Sequence, residues 1–238
     1  MKAYLLAGGY GTRLRSETTA RPKCLVEIAG RPLLAWWFDL CARHGISDVL
    51  VNVSHHGDVV RAFLETAASP VRVTLVEEPA ALGNAGTVLA NARFVEGDDD
   101  FFVLYADNLT DVDLGRLLAF HRSHAGVLTV GAFRHPRPRE AGIVDVRTDG
   151  LVLTFVEKPP APTSDFASAG IYVARQALFP CIPRRPGIVD FGYDVLPRLV
   201  GRLYAHEVSG YLADVGTEDG LATARAAWAR RDPPALPA

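Results

Sequence analysis

Several charged side chains in this chain stand where phosphate chemistry could use them. Gly8-Gly9-Tyr10-Gly11-Thr12-Arg13 follows a short apolar run. Glycines in such a turn let backbone amides approach phosphate oxygens, and the Arg13 guanidinium adds a planar donor fork. Arg21-Pro22-Lys23 brings a second cationic position, and Val156-Glu157-Lys158-Pro159 a third. The apolar run Phe101 to Tyr105 meets Ala106-Asp107-Asn108, which puts a carboxylate at the carboxyl end of a strand, where ligands and metals gather in open α/β sheets. The plain alternatives are a glycine turn that binds nothing and a Pro-Lys pair that decorates the surface.

Familiar readings of these residues can be tested directly. A dinucleotide fingerprint needs a small residue three positions after Gly11, where Leu14 stands, and a Walker A loop needs Gly-Lys-Ser/Thr, where Gly11-Thr12-Arg13 stands. Asp111-Val112-Asp113 spells the Asp-x-Asp of metal-dependent glycosyltransferases. It also opens an apolar-periodic helix, so capping and helix-dipole pairing explain it without a metal, and that reading is favoured. His55, His56, His121 and His124 have no triad partners in view and read as structural or solvent-facing. Cys24, Cys41 and Cys181 lack metal-ligand spacing, and their odd number argues for free thiols, with Cys41 and Cys181 filling the core.

These groups must be positioned by a fold that alternates strand and helix. Strands are expected at Tyr4 to Ala7, Asp48 to Val53, Val71 to Val76 and Phe101 to Tyr105. Helices are expected at Leu33 to His44, which stops at Gly45, and at Val59 to Ala67, Gly86 to Ala92 and Val112 to His124. Continuous apolar strands between helices imply a parallel sheet covered on both faces. Beyond Gly126 the strands shorten: Leu128 to Phe133, Gly142 to Arg147, Leu151 to Glu157 and Ala169 to Val173, with Thr148-Asp149-Gly150 as a turn. Phe191 to Leu199 reads as a helix, Leu203 to Val208 and Tyr211 to Val215 as strands, and Thr217 to Arg230 as a last helix capped by Thr217. The fold class is therefore α/β: a Rossmann-like, mixed and mainly parallel sheet flanked by helices, with a smaller β-rich part. A single domain is expected over 1–231, with halves 1–125 and 126–231, a disordered proline-rich tail at 232–238, and no appended repeat domain.

In 238 residues the net charge of −2 is spread through mixed acids and bases, so neither a nucleic-acid footprint nor a polybasic membrane patch is present. The opening Met1 to Ala7 is too short and too weakly charged for a signal peptide or a spanning helix, and a cytoplasmic protein is expected.

Leu5-Leu6-Ala7-Gly8-Gly9-Tyr10-Gly11-Thr12-Arg13-Leu14, followed by Pro22-Lys23, resembles the signature of the sugar-phosphate nucleotidylyltransferases, the nucleotide-sugar pyrophosphorylases, including those that guanylylate mannose 1-phosphate or heptose 1-phosphate. The resemblance runs from Met1 to about Arg225. It implies that Leu6, Ala7, Gly8, Gly9, Gly11 and Thr12 wrap a triphosphate and that Arg13 and Lys23 neutralise departing pyrophosphate. It makes Asp107 a Mg²⁺ ligand, although Ala106 replaces the family's usual glycine, and makes Asp214 the second ligand through Tyr211-Leu212-Ala213-Asp214-Val215-Gly216-Thr217. The same likeness places base recognition across Glu77-Glu78-Pro79 and Leu82-Gly83-Asn84-Ala85-Gly86-Thr87, so that Glu78, Gly83, Gly86 and Thr87 contact the nucleotide. A carboxylate there favours guanine, whose N1–H and N2–H₂ are paired donors. Glu157-Lys158-Pro159 resembles the family's Glu-Lys-Pro, whose lysine contacts the sugar phosphate, and Asn108, Gly142, Glu157, Gly170 and Asp190 become candidate sugar contacts.

The expected partners are therefore a nucleoside triphosphate and a sugar 1-phosphate, with Mg²⁺ as cofactor and neither nucleic acid nor membrane. Oligomeric state stays open, though family members commonly associate as homo-oligomers. The rivals are a non-catalytic nucleotide-sugar-binding subunit, a nucleotidyltransferase for a non-sugar phosphate such as phosphocholine, and a glycosyltransferase using Asp111-Val112-Asp113. Phosphocholine would call for an aromatic box, and Trp36, Trp37 and Trp228 all fall in expected helices.

Overall fold

The computed structural model describes residues 1–9, 14 and 21–231. The calls on Gly11, Thr12 and Arg13, and the proline-rich tail, lie outside the described residues. Strands along the chain are β1 (Lys2–Leu6), β2 (Glu27–Ile28), β3 (Arg31–Pro32), β4 (Asp48–Val53), β5 (Arg72–Glu77), β6 (Asp100–Tyr105), β7 (Asn108–Thr110), β8 (Leu128–Arg134), β9 (Gly142–Val146), β10 (Val152–Glu157), β11 (Phe166–Arg175), β12 (Leu203–Glu207) and β13 (Leu212–Asp214). The α-helices are α1 (Leu33–Arg43), α2 (Gly57–Thr66), α3 (Asn84–Ala90), α4 (Leu114–Arg122) and α5 (Glu218–Trp228). None is long and apolar enough to cross a membrane.

The chain forms two compact units, one made of 1–80, 105–111 and 210–238, the other of 81–104 and 112–209. In the first, β1, β4 and β5 run parallel, with Leu6 opposite Asn52 and Asn52 opposite Val76. β1 and β4 are apolar runs covered on both faces, with Tyr4, Leu5, Val49 and Val51 wholly buried, whereas β5 alternates half-buried and exposed residues. Helix α1 buries Leu33, Leu34, Trp37, Phe38, Leu40 and Cys41, a stripe at helical spacing. It stops at Gly45, whose φ of 70° suits a residue without a Cβ. Two short pairs complete this unit, the hairpin β2–β3 and the antiparallel pair β7–β13, of which only β13, within the strand expected at Tyr211 to Val215, is legible in the sequence.

In the second unit β11 is the organising strand. It pairs antiparallel with β6, β8 and β9, while β12 joins β8 in parallel and β10 joins β9 antiparallel. The β11–β8 register breaks between Ser168 and Ile171, at Gly170 with φ of 67°, the signature of a bulge. The mixed sheet expected from the sequence thus divides by unit: parallel strands in the first, mostly antiparallel ones in the second. Helix α4 is capped by Asp113, whose carboxylate accepts from Arg116 N at 3.0 Å. Its inner face carries His121, fully buried, with Nδ1 2.7 Å from Thr129 Oγ1.

Two local expectations need correction. Phe191 to Leu199 is not an α-helix but a π turn, Phe191–Val195, followed by a 3-10 turn, Leu196–Leu199. Pro197 has no N–H to continue an α ladder, and Gly192 weakens the first turn. Cys181 does not fill the core: it is half-buried beside Pro180 on a 3-10 turn, whereas Cys41 is buried as expected.

Candidate active site

In the first unit two candidate carboxylates meet at Lys23. Cys24 and Leu25, 2% and 6% exposed, anchor a 3-10 turn in which Leu25 N donates to Pro22 O at 2.9 Å. The turn holds the Lys23 amine 3.0 Å from Asp107 Oδ2 and 3.6 Å from Asp214 Oδ1. Asp107 follows β6 and is fixed by its backbone: Ala106 N donates to Leu6 O and Val215 N to Asp107 O, each at 3.0 Å. Asp214 closes β13, opposite Asn108 on β7, and its Oδ1 accepts from Gly216 N at 2.6 Å. Residues 84 and 191 positions beyond Lys23 are so brought to one ammonium. The Lys23 side chain is 10% exposed and the carboxylates 43% and 48%, so the pair opens to solvent while its counter-ion lies behind it.

Two carboxylates converging on one cation, both half exposed, are an oxygen donor set of the kind Mg²⁺ uses together with substrate phosphates. Among the described residues no cluster of three or more His, Cys, Asp or Glu side chains that could hold a metal ion forms.

The turn after β1 is held from behind. Ala7 N donates to Asn52 Oδ1 at 3.0 Å and Ser54 Oγ to Gly8 O at 2.6 Å. A Cβ on Gly8 would stand 2.6 Å from Asn52 Nδ2 and 3.8 Å from Glu78 Oε2, so this glycine is required by close approach. Glu78, 6% exposed, is tucked beneath the turn, and Glu77 forms a surface ion pair with Arg61. Asn52 and Ser54 were not picked out by sequence reading. The available signal was polar residues at the carboxyl end of the strand expected beside the glycine strand.

The second unit gathers another set. Gly142 opens β9 opposite Glu157 at the end of β10. Lys158 follows with φ of 47°, a left-handed conformation unusual for a side-chain-bearing residue, its N–H donating to Ala141 O at 3.1 Å. Its amine is exposed and makes no hydrogen bond or ion pair among the described residues. Burial raises the Glu157 carboxyl above its ordinary pKa; Lys158 opposes the rise and Asp190 adds to it. Gly83, with φ of 78°, and Gly86 open α3 against Val189, whose carbonyl accepts from Ala85 N and Gly86 N at 3.1 Å each. Thr87 faces inward at 1% exposure. Asn108 lies in the first unit, its carbonyl accepting from Trp37 Nε1 at 2.8 Å.

Asp111 is committed structurally, accepting from Tyr211 N and the Arg231 guanidinium, each at 2.6 Å. With Asp113 capping α4, both carboxylates of the Asp-x-Asp have structural work.

The chain belongs to the nucleotidyl transferase family, whose model matches residues 2–231. It is similar to the mannose-1-phosphate guanyltransferase of Eremothecium gossypii, 33% identical over 223 residues, and to mannose-1-phosphate guanyltransferase beta-A of Xenopus laevis, 31% identical over 222 residues; each alignment covers 91% of this chain and 61% of the relative. The chain thus spans about three fifths of the length of the curated relatives it matches. Among solved structures it is similar to a Bacillus anthracis protein assigned as a glucose-1-phosphate thymidylyltransferase, with TM-score 0.83 and 25% identity, covering 98% of this chain and 96% of that one. HddC of Yersinia pseudotuberculosis shares the fold at TM-score 0.80 and 22% identity, covering 95% and 99%. The Rossmann-like α/β class read from the sequence is the class of these neighbours.

Proposed function

We propose that this chain transfers a nucleotidyl group from a nucleoside triphosphate, GTP in the favoured reading, to a sugar 1-phosphate, giving a nucleotide sugar and pyrophosphate. The observation that carries the proposal is the convergence of Lys23, Asp107 and Asp214 in a chain of the nucleotidyl transferase family. The guanylyl preference draws on the mannose-1-phosphate guanyltransferase relatives. In this reading residues 1–231 act as one catalytic domain in the cytoplasm.

A phosphate oxygen of the sugar 1-phosphate attacks the α-phosphorus, a new P–O bond forms, the α–β bridging P–O bond breaks, and pyrophosphate departs. The second phosphate pKa is about 6, so the nucleophile is already largely anionic at neutral pH and needs no general base. What the protein must supply is alignment of two mutually repelling anions and neutralisation of the charge they carry. In the proposed roles, Leu6, Ala7, Gly8, Gly9, Gly11 and Thr12 present backbone amides to the triphosphate, with Asn52 and Ser54 bracing the turn. Arg13 and Lys23 meet the leaving pyrophosphate. Glu78, Gly83, Gly86 and Thr87 contact the nucleotide. Lys158 binds the sugar phosphate, and Asn108, Gly142, Glu157, Gly170 and Asp190 read the sugar. Asp107 and Asp214 would hold Mg²⁺, which when bound supplies charge neutralisation at the phosphates.

The test is a pyrophosphate-release matrix of nucleoside triphosphates against sugar 1-phosphates with Mg²⁺. Turnover is expected with GTP and a hexose or heptose 1-phosphate. Absence of pyrophosphate release from every pair, by a folded protein, would sink the proposal, and the same outcome would favour a non-catalytic binding role.

A further inference from the structure

The segment 188–194 in the second unit is held with unusual completeness, and one side chain outside it does much of the holding. Asn84, the first residue of α3, donates from Nδ2 to Asp190 Oδ2 at 2.7 Å and accepts at Oδ1 from Phe191 N at 2.6 Å and from Ala85 N at 2.7 Å. Asp190 accepts from Tyr193 N at 3.1 Å, and Asp194 accepts from Asp190 N and from Arg185, both at 2.9 Å. Phe191 is fully buried and stacks on Tyr172 with ring centroids 5.5 Å apart.

Immediately after Phe191 comes Gly192, inside the π turn. A Cβ there would stand 2.4 Å from Glu157 Oε2 and 2.7 Å from its Cδ. On the other side, a Cβ on Gly142 would stand 2.6 Å from the same Oε2. The Glu157 carboxylate therefore occupies room left by two missing side chains. It makes no hydrogen bond to a described residue. A carboxyl group so confined has few rotamers open to it, so its oxygens are aimed before any ligand arrives, which lowers the ordering cost of recognition. The aim depends on where the backbone of Gly192 lies, and that depends on Asn84.

We propose that Asn84 is a positioning residue for sugar recognition: by gripping Asp190 and the Phe191 amide it seats Gly192 against the Glu157 carboxylate, so that one side chain at the start of α3 fixes the aim of the sugar-reading acid. The proposal rests on the nucleotidyl-transfer reading and extends it to two residues, Asn84 and Gly192, to which that reading gives no role. Because α3 is also the helix opened by Gly83 and Gly86, the same contact ties the nucleotide-side loop to the sugar-side carboxylate.

The experiment uses the full chain with GTP and the best sugar 1-phosphate from the matrix. Asn84→Ala leaves the Phe191 N–H without its acceptor and frees Asp190; KM for the sugar 1-phosphate should rise about 10- to 100-fold, with KM for the nucleotide within about threefold of wild type by the same reasoning. Asn84→Asp keeps the acceptor but sets two carboxylates against each other, and should show a similar loss. Gly192→Ala, whose Cβ would meet the Glu157 carboxylate, displaces that carboxylate without touching Asn84 or Asp190 and should raise the sugar KM in the same way. A Gly192→Ala variant with the wild-type sugar KM, or an Asn84→Ala loss falling equally on nucleotide and sugar, overturns the proposal while leaving the activity intact. A wild-type chain inactive across the whole matrix overturns the activity itself, and this proposal with it.

Discussion

Replacing Lys23 by Met removes the ammonium shared by Asp107 and Asp214 and keeps the apolar length of the stem. A hydrogen bond to a charged group contributes about 1.5–3 kcal/mol. Lys23 is nearly buried, but both carboxylates are almost half exposed, and solvent screening brings the net loss toward about 1–2 kcal/mol. For a domain of this size each 1 kcal/mol moves Tm by about 2–4 °C, so the variant should melt roughly 2–8 °C lower. Millimolar Mg²⁺ should return part of that loss, because two carboxylates without their ammonium attract a dication more strongly than the wild-type pair does. Turnover should fall by about 10²–10³, the usual cost of deleting one charge-stabilising donor. Thermal unfolding with and without Mg²⁺ and a pyrophosphate-release assay measure the two effects. If Lys23→Met melted at the wild-type temperature and kept more than a third of wild-type turnover in saturating Mg²⁺, the reasoning would be refuted at both the structural and the catalytic link.

Asp113→Ala deletes the α4 cap and should cost about 1 kcal/mol of stability while leaving turnover near wild type; a collapse of activity at wild-type stability would revive the metal-binding reading of Asp111-Val112-Asp113. Burial, with Arg175 adding, pushes His121 down to about 4. Its folded pKa lies below the unfolded value, so the unfolded chain binds the extra proton between about pH 6.5 and 4 and stability declines as pH falls through that window. His121→Gln, which can keep a hydrogen bond to Thr129, should flatten the decline in Tm between pH 7 and 5, and an unchanged slope would remove His121 as its cause. Of the three cysteines, Cys24 and Cys41 are buried with thiols pushed up to about 12, so a thiol reagent should label only Cys181 quickly in the native protein and all three after denaturation. Rapid native labelling of all three would contradict the packing around the 3-10 turn at Lys23–Leu25 and helix α1 that buries the first two.

The sequence by itself determined what is local. Apolar runs and helical spacing placed β4 at its observed bounds and α1 within a residue, Gly45 and Thr217 marked helix ends through their own chemistry, and Leu-Ala-Gly-Gly with Pro-Lys pointed to phosphate. Strand direction was less legible, since a buried apolar run such as 128–134 reads the same whether its neighbours run parallel or antiparallel. So were β2, β3 and β7, too short to carry a period. The convergence of Lys23 with Asp107 and Asp214 was not legible, because contacts across 84 and 191 positions of chain leave no periodic trace. Asn84 and Gly192 left no signal at all. What makes them matter is the absence of a side chain beside Glu157 and a hydrogen bond across 106 residues from Asn84 to Asp190, and only tertiary structure decides which distant groups share that space.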